Sequence, residues 1–355
     1  MEAPINIQPS GTARRLIHGI AKADLTAILQ SLDQPSYRAD QVWRWLYAQN
    51  VSDWTHMKNL PAALRAQLAE RFSLDSATAI ASDGEAGGTR KILVGLSDGE
   101  RVEEVLIPAD DRRTVCLSSQ AGCRFHCAFC ASGQAGFRRN LEAGEIVGQV
   151  LLAWRGFGEK PTHVVVMGVG EPFDNYDAVL QAVRLINDQD GLCIGARRIT
   201  LSTAGVIPGI ERLAGENLQV ELSVSLHAPS DKLRSELMPI NRTYPLNRLL
   251  KACEAYFAAT KRLITFEYTL IENVNDQPPH AKELARRLSA FPCRVNFILL
   301  SPVEEYAGAP SSSSVAERFI QVLDKAGINA TLRASRGTAV HAACGQLRSR
   351  HEKTP

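Results

Sequence analysis

The sequence predicts an α/β protein, a partial (β/α) barrel that carries a small N-terminal helical domain and a β-hairpin extension. Three observations predict this fold. Apolar strands alternate with helical segments from residue 115 onward, an Asp98-Gly99 pair separates two strand-like segments before that point, and the first 80 or so residues have only helical periodicity. Strand–helix alternation implies a parallel sheet, and six or so such units favour a complete or partial barrel.

The N-terminal region is predicted to contain three helices, which span residues 24–32, 39–48 and 61–72. In the first, Leu25, Ile28 and Leu29 recur with a helical period, and Asp24 is the expected N-cap. Pro61 suits the first position of the third helix. We therefore expect residues 1–82 to form a helical accessory domain.

A β-hairpin is predicted from residues 89–96 and 100–107, because Asp98-Gly99 is a strong signal for a tight turn. Glu103 and Glu104 are neighbours in the second strand, so their side chains point to opposite faces. The pattern alone favours an exposed strand edge for both carboxylates and does not distinguish them. We assign residues 83–114 to this extension.

Residues 115–347 are predicted to form the barrel, followed by a tail at 348–355. Catalytic groups in such barrels lie at the C-terminal ends of the strands. The predicted strands are 115–118, 163–167, 198–202, 220–225, 263–268, 295–300 and 330–333. The predicted helices are 143–154, 176–186, 231–237, 246–257, 281–288 and 315–326.

The composition excludes several classes of protein. Apolar residues make up 45% of the chain and charged residues 22%, which excludes a disordered chain, a collagen-like chain and a coiled coil. The net charge is only +2, so any RNA contact must come from local basic patches. The longest apolar run, 164–170, is far shorter than the about 20 residues that span a bilayer. The first residues lack the apolar core of a secretory signal, so we expect a cytoplasmic protein without a membrane anchor.

Four of the eight cysteines lie between positions 116 and 130, which favours metal or redox chemistry. Cys123, Cys127 and Cys130 have the spacing C-x3-C-x2-C directly after a predicted strand. Three thiolates on one short loop can bind three irons of a cubane cluster, which leaves the fourth iron open for a substrate or cofactor. A zinc site needs four ligands, usually in two pairs, and no second C-x2-C pair exists. His126 is adjacent to Cys127 and poorly placed as a fourth ligand.

Polar loops follow the next predicted strands. In Gly168-Val-Gly170-Glu171 the glycines would let the backbone approach a ligand, and Glu171 can accept hydrogen bonds from an amino group. Polar groups also end the two strands after it, at Ser202, Ser225 and His227. For His227, a helix cap or a core position explains the residue equally well.

Several segments carry a resemblance to a known family. The C-x3-C-x2-C spacing resembles the signature of radical S-adenosylmethionine (SAM) enzymes. The similarity is closer still to the radical SAM RNA adenine methyltransferases of the RlmN/Cfr type, and the N-terminal helices also resemble that family's. The similar segments recur in order between residues 90 and 347: VCLSSQAGCRFHCAFCASGQAGFRRNL, MGVGEPFDNYDAVL, ITLSTAG, SLHAP, LMPINRTYPL and AACGQL.

The resemblance implies a radical SAM barrel with a 4Fe–4S cluster on Cys123, Cys127 and Cys130. It also implies a SAM site, formed by Gly170, Glu171, Ser202, Ser225, Leu226, His227 and Ser301. Family members usually have Asn where Ser301 stands, and acidic residues where Ala339 and His341 stand. These departures bear on the RNA target and the atom that is methylated, and not on the class of reaction.

The reaction that the resemblance implies is methylation of adenine carbon 2, an electron-poor centre that does not attack a SAM methyl group directly. One SAM methylates Cys344, and a second is cleaved to a radical that takes a hydrogen from this methyl group. The carbon radical adds to the base, Glu103 accepts the proton that leaves carbon 2, and Cys116 releases the product by forming a disulfide. Cys193, Cys253 and Cys293, which match no family motif, are expected to be buried structural thiols.

The implied partners are 23S rRNA and tRNA, bound with an unstacked adenine, together with a flavodoxin-type electron donor. The N-terminal domain would contact the RNA, and we expect a monomer. Two alternatives remain open. One is methylation of carbon 8 of adenine, as in Cfr-type enzymes, and the other is a non-catalytic iron–sulfur protein that binds RNA or carries electrons. An electron carrier needs neither an open iron nor the distant pair Cys116 and Cys344.

Overall fold

The computed structural model describes residues 14–85, 87–134, 136–333 and 346–347 of the chain. Cys344, Ala339, His341 and the tail 348–355 lie outside the described residues, so the predictions about them stay predictions.

The N-terminal region contains the three predicted helices and a short parallel pair of strands. Its elements are β1 (Arg15–Leu16), α1 (Lys22–Gln30), α2 (Tyr37–Trp43), α3 (Ala62–Arg71) and β2 (Phe72–Ser73). A π-helical turn, Arg44–Ala48, continues α2 directly. The expected N-cap was wrong, because Ala21 caps α1 and Asp24 lies inside the first turn. Pro61 is the N-cap of α3 and not its first helical residue.

The remaining strands form a ten-stranded sheet and a short hairpin. The strands are β3 (Thr78–Asp83), β4 (Arg90–Gly95), β5 (Arg101–Ala109), β6 (Arg112–Cys116), β7 (Gln120–Gly122), β8 (Phe137–Asn140), β9 (His163–Val166), β10 (Ile199–Thr203), β11 (Glu221–Ser225), β12 (Ile264–Leu270), β13 (Cys293–Leu299) and β14 (Asn329–Leu332). The order in the large sheet is β14-β13-β12-β11-β10-β9-β6-β5-β4-β3, and β7 pairs only with β8. The strands from β6 to β14 in this sheet are parallel, whereas β3, β4 and β5 are antiparallel. Because β14 and β3 stand at the two ends of the order, the described strands form an open, partial barrel, as predicted.

Helices lie between the parallel strands along the chain. They are α4 (Ala131–Gln134), α5 (Ala143–Phe157), α6 (Tyr176–Asn187), α7 (Ile207–Ala214), α8 (Asp231–Leu237), α9 (Leu246–Thr260), α10 (Pro278–Leu288) and α11 (Ser313–Lys325). Helix α7 was not predicted, because a Pro-Gly pair such as Pro208-Gly209 is typical of a loop. In the structure Pro208 lies at the start of the helix, where proline is tolerated. No helix among the described residues is long and apolar enough to cross a membrane.

The predicted hairpin exists as β4 and β5, but the expectation of an exposed edge for its carboxylates was wrong. β5 lies between β4 and β6, and both Glu103 and Glu104 are buried. The exposed edge strand is β3, all of whose side chains are exposed. The sheet is continuous from β3 into the parallel strands. The domain boundaries expected at 82/83 and 114/115 therefore fall inside β3 and β6.

A single cluster of buried side chains joins the N-terminal helices to the barrel, from Leu29 and Trp43 through Val150 to Phe266. Helix α5 is the main contact between the two regions. Gly19 approaches Gly144 of α5 so closely that an added Cβ atom would lie 2.6 Å from the Gly144 nitrogen. The N-terminal region is therefore packed on the outer side of the barrel and not tethered by a free linker.

Candidate active site

The cysteine loop follows β6 and is held at its base by the β7–β8 hairpin. Cys123 donates a backbone hydrogen bond to the carbonyl of Gly136, at 3.0 Å. Further along, Ala128 donates to the carbonyl of Leu237, at 2.9 Å, which ties the loop to the end of α8. The loop therefore stands over the C-terminal ends of the parallel strands, where barrel enzymes carry their chemistry.

A cavity of about 160 Å³ lies between this loop and the strand ends. This volume is several times the roughly 30 Å³ that one water molecule occupies in the liquid. Nine of the residues named in the sequence analysis line it: Cys123, Cys127, Cys130, Gly170, Glu171, Ser202, Ser225, His227 and Ser301. The structure therefore brings the expected cluster ligands and most of the expected SAM residues to one site.

Leu226 is the member of the expected SAM site that does not line the cavity. It is buried, and its backbone connects two parts of the wall. Its N–H donates to the carbonyl of Glu267 at 3.0 Å, and its carbonyl accepts from Arg234 Nε at 3.2 Å. In this structure Leu226 shapes the loop after β11.

Glu171 is buried at the end of β9, and backbone groups hold its carboxylate. The N–H of Phe173 donates to Oε1 at 3.0 Å, and the N–H of Ala204 donates to Oε2 at 2.6 Å. Burial raises the pKa of Glu171 to about 7, although these hydrogen bonds favour its charged form. The Thr203 hydroxyl also bonds to this carboxylate, so three of its about four lone-pair positions are occupied and one remains for a ligand amino group.

The glycines before Glu171 bring their loop close to the segment after β6. A Cβ atom on Gly168 would lie 2.6 Å from the Leu117 carbonyl oxygen, and one on Gly170 would lie 2.6 Å from the Gln120 Cβ. Gly170 also has a φ of +105°, a conformation that glycine adopts without strain. The glycines thus let this loop pack against the segment after β6. Both also line the cavity, so the prediction that their backbone approaches a ligand stays a prediction.

His227 is a cavity residue and not a helix cap. It is buried, and its Nδ1 accepts a hydrogen bond from the Thr269 backbone N–H at 2.9 Å. Burial, with the charge of Arg234, lowers the pKa of His227 to about 3. The ring is therefore neutral, and because Nδ1 is an acceptor, the proton is on Nε2.

Arg234 was missed by the sequence analysis, because nothing in α8 distinguishes it from a surface arginine. Its side chain is fully buried and donates to three backbone carbonyls and one side chain. The acceptors are Leu226 O at 3.2 Å, Asn241 Oδ1 at 3.0 Å, Ala204 O at 2.7 Å and Ser225 O at 2.9 Å. One guanidinium thus fixes the loops after β10 and β11 relative to each other.

Glu267 and Arg333 also line the cavity without having been predicted. A signal existed for Glu267, because a glutamate interrupts the otherwise apolar and hydroxyl-bearing strand ITFEYTL. Such a residue in a strand with two buried faces must point either into the core or into a site. Here it points into the site.

Cys116 and Glu103 do not line this cavity but lie on the face of the sheet that adjoins it. Cys116 is paired with Val105 of β5 and Val165 of β9, and Glu103 is two residues from Val105 on the same face. Val105, Cys116, Val169 and Leu347 form a small buried cluster, here called the Cys116 cluster, against which Met167 packs. Met167 also lines the cavity.

Glu103 and Glu104 differ in their surroundings as well as in their faces. Lys91 Nζ lies 3.2 Å from Glu103 Oε1, and both side chains are buried. Neither oxygen of Glu104 has a hydrogen-bond partner among the described residues, and burial raises its pKa well above the ordinary value. The structure therefore distinguishes the two carboxylates, which the strand pattern could not.

The three cysteines outside the motifs are not all alike. Cys253 and Cys293 are buried, as expected. The expectation was wrong for Cys193, which is exposed at a turn where its φ is +51°.

The three cysteines suit an iron–sulfur cluster. They border one cavity, as a cubane requires, because each thiolate binds a different iron. Burial raises the pKa of Cys123 to about 12 and that of Cys127 well above its ordinary value. Such thiols become thiolates when bound metal supplies positive charge.

Comparison with known proteins agrees with this site. The family model "Radical SAM superfamily" matches residues 117–285, and the model "Ribosomal RNA large subunit methyltransferase N-terminal domain" matches residues 17–74. A crystal structure of a radical SAM methyltransferase from Sphaerobacter thermophilus is similar, with a TM-score of 0.91 and 46% identity. The matched residues make up 94% of this chain and 99% of the Sphaerobacter thermophilus chain.

Two curated relatives are similar over most of their length. "Probable dual-specificity RNA methyltransferase RlmN" of Dictyoglomus thermophilum is 45% identical over 334 residues, which are 93% of this chain and 96% of that protein. "Dual-specificity RNA methyltransferase RlmN" of Pseudomonas putida is 41% identical over 347 residues, which are 95% of this chain and 91% of that protein.

A radical SAM domain takes a 4Fe–4S cluster and SAM as its cofactors, in agreement with the cysteine loop and the cavity beside it. The matches cover both the N-terminal region and the barrel, so the likeness extends beyond the cluster motif. The chain therefore belongs to the RlmN family of radical SAM RNA methyltransferases.

Proposed function

We propose that this chain methylates carbon 2 of an adenine in 23S rRNA and in tRNA, with Cys344 as the methyl carrier, Cys116 as the resolving thiol and two SAM consumed per product. The single observation that carries the proposal is the Cys116 cluster. It joins the expected resolving cysteine to Leu347, three residues after Cys344 in the chain, and to Met167 at the cavity.

The segment after Cys344 is also tied to the cysteine loop. Ser132 Oγ, two residues after Cys130, donates to the carbonyl of Leu347 at 2.7 Å. Gln346 Nε2 donates to the carbonyl of Pro302 at 2.8 Å, beside the cavity residue Ser301. These contacts support the proposal that Cys344 and Cys116 act at one site, although more than 200 residues separate them in the chain.

When bound, the cluster would supply the electron that cleaves SAM to a 5′-deoxyadenosyl radical, which takes a hydrogen from the methyl group, and the oxidised cluster would take one electron back from the base when carbon 2 loses its proton. The residues of this chain perform the remaining steps. The methylene carbon on Cys344 bonds to carbon 2 of the adenine, and Glu103 accepts the proton that carbon 2 loses. The thiolate of Cys116 then attacks the sulfur of Cys344. As the S–S bond forms, the bond from that sulfur to carbon breaks towards carbon, which takes a proton to complete the methyl group.

Glu103 is suited to accept a proton. Lys91 lies beside its carboxylate in a buried environment and favours the charged form, which is the form that a general base needs. Glu104 is on the opposite face and is not expected to substitute for it.

The RNA partner follows from the chemistry. Carbon 2 of a paired adenine cannot enter a barrel, so the substrate must present an unstacked base, as RNA loops do. The names of the relatives, dual-specificity RNA methyltransferases, support two kinds of RNA substrate. We further propose a flavodoxin-type electron donor, action as a monomer in the cytoplasm, and RNA contacts from the N-terminal helices.

Two cysteine variants test the proposed route. We expect Cys116→Ala to accumulate a covalent protein–RNA adduct, because the product cannot be released, and Cys344→Ala to form neither adduct nor product. Cys193→Ala is the control, because Cys193 is exposed and away from the site. Gel electrophoresis under denaturing conditions measures the adduct and nucleoside mass spectrometry measures the product. Methyl transfer by Cys344→Ala would refute the route through a methylcysteine.

A further inference from the structure

Glu267 lies in the inner wall of the barrel, in the middle of β12, and only 5% of its surface is exposed. In register it is level with Ser225 of β11 and Asn296 of β13. Residues level with one another in a parallel sheet share a face, so these three side chains belong to one polar layer inside the barrel. Ser225 and Glu267 both line the cavity.

Neighbouring side chains fix the position of the carboxylate through one of its two oxygens. Asn296 Nδ2 donates to Glu267 Oε1 at 3.1 Å, and Ser223 Oγ donates to the same oxygen at 3.4 Å. Thr331 Oγ1 of β14 donates to Asn296 Oδ1 at 3.0 Å, which sets the orientation of the amide. The polar layer thus holds Glu267 in one orientation.

The other oxygen, Oε2, is buried and has no hydrogen-bond partner among the residues that the structure describes. A buried polar atom without a partner costs free energy, and the cost is larger for a charged group. Burial raises the pKa of Glu267, while the charge of Arg333, another cavity residue, acts in the opposite direction. A carboxylate oxygen held in this way is poised to accept a hydrogen bond from whatever fills the cavity.

We propose that Glu267 binds the adenosine half of SAM, with Oε2 accepting a hydrogen bond from a ribose hydroxyl. Glu171, the carboxylate suited to an amino group, follows β9, three strands from β12 in the sheet order, so the two acceptors stand on different walls of one cavity. Paired hydroxyls suit a single carboxylate, as in the acidic residue that holds a ribose in dinucleotide-binding folds. The inference rests on the SAM site and not on which atom of the RNA is methylated.

The test compares Glu267→Gln with Glu104→Gln in the protein reconstituted with its cluster under anaerobic conditions. Both residues are buried glutamates with unpartnered oxygens in strands of the same sheet, but Glu104 does not line the cavity. Equilibrium dialysis measures the affinity for SAM, for 5′-deoxyadenosine and for 2′,5′-dideoxyadenosine, which lacks one hydroxyl. Glutamine keeps an acceptor for Asn296 and Ser223 but removes the charge that faces the cavity.

We expect Glu267→Gln to weaken binding of SAM and 5′-deoxyadenosine by about tenfold, the scale of losing a charged acceptor. The wild-type preference for 5′-deoxyadenosine over the dideoxy compound should shrink by a similar factor, whereas Glu104→Gln should bind all three compounds as the wild type does. The thermal unfolding temperature of Glu267→Gln without SAM should be equal to or above that of the wild type, because a buried charge is lost.

Equal SAM affinity in the wild type and Glu267→Gln would overturn the inference. An equal loss of SAM binding in Glu267→Gln and Glu104→Gln would also overturn it. A loss of SAM binding together with a large fall in the unfolding temperature of Glu267→Gln would do the same, since either result would indicate a structural role. A selective loss of RNA binding would assign Glu267 to the target base instead and would also contradict the proposal. A wild type that binds no SAM would refute the cofactor assignment itself, which is a different failure.

Discussion

Two regions of the molecule contain buried polar atoms without partners, and they differ in what surrounds those atoms. One is the cavity, which Glu267 lines and where its Oε2 has no hydrogen-bond partner among the described residues. The other, here called the junction, lies where the N-terminal region and the outer face of β5 meet α5. It consists of His18, Ser76, Glu104 and Arg155. His18 Nε2 and both Glu104 oxygens lack partners there among the described residues, and neither residue lines the cavity.

The meaning of a buried polar atom without a hydrogen-bond partner therefore depends on whether it borders a cavity or lies in packed protein. In the cavity such an atom indicates a ligand contact. In the packed junction such an atom lowers the free energy of unfolding, by an amount that depends on pH. Ser76 Oγ lies 3.1 Å from His18 Nδ1, and the charge of Arg155 acts on both His18 and Glu104. The predictions below separate the two regions.

The largest effect is expected from the cysteine loop. Cys127→Ala should abolish cluster binding and all methyl transfer, because three thiolates are the minimum for a cubane with one open iron. Iron content, the visible absorption of the reconstituted protein and product formation check this. The part of the pH dependence of unfolding that comes from His18 and Glu104 in the junction should not change. A variant that retains a full cluster would contradict the ligand assignment.

Removal of Arg234 should have the next largest effect, on stability and SAM binding together. Arg234→Met removes the guanidinium that bonds three carbonyl oxygens of the loops after β10 and β11, and we expect a loss of about 3–5 kcal/mol in the free energy of unfolding. Denaturant titration measures this loss. The control is Arg212→Met, which breaks an exposed ion pair with Asp177 and should change the free energy of unfolding little. Similar losses in the two variants would refute the role given to Arg234.

Acid should destabilise the protein through its buried histidines. Burial lowers the pKa of both His18 and His227 from 6.5 to about 3. Between these values the unfolded chain binds protons that the folded chain does not, so stability is lost as the pH falls from 6.5 towards 3, by up to about 1.4 kcal/mol per pH unit for each histidine.

His18→Gln and His227→Gln should therefore each reduce the acid sensitivity, which unfolding titrations at pH 4 and pH 7 can measure. Only His227→Gln should also weaken SAM binding, because only His227 lines the cavity. An equal effect of both variants on SAM binding would contradict the separation of the two regions.

The smallest effect is expected from Glu104, and it has the opposite pH dependence. Burial raises the pKa of Glu104 well above 4.5, so the folded chain keeps a proton that the unfolded chain releases, and stability is lost as the pH rises above 4.5. Glu104→Gln should raise the free energy of unfolding at pH 7 relative to the wild type, which denaturant titration can measure. A variant that is less stable than the wild type at pH 7 would show that the carboxylate has a stabilising role.

Much of the fold could be predicted, because strong periodicity identifies the long elements. The helix 231–237 was predicted at its observed bounds, and the hairpin was predicted from its Asp-Gly turn. Edge positions could not be predicted, because exposure depends on which strands lie alongside. Glu103 and Glu104 therefore seemed exposed, whereas the exposed edge is β3.

The site was predicted where motifs are local and missed where it depends on packing. The cysteine loop and Glu171 could be found from short patterns, but Arg234 and Arg333 have no local signature. The close approach of Gly168 and Gly170 to the segment after β6 could not be predicted either, because that segment is distant in the sequence.

The central claim is that this cavity supports radical methylation of adenine carbon 2, and one measurement tests it most directly. The protein is reconstituted anaerobically with iron and sulfide, then incubated with SAM, a reductant and a 23S rRNA fragment, and the nucleosides are analysed by mass spectrometry. We predict 2-methyladenosine together with 5′-deoxyadenosine. Formation of 8-methyladenosine would contradict the assignment to carbon 2, and SAM cleavage without methylation of this RNA would contradict the proposed substrate.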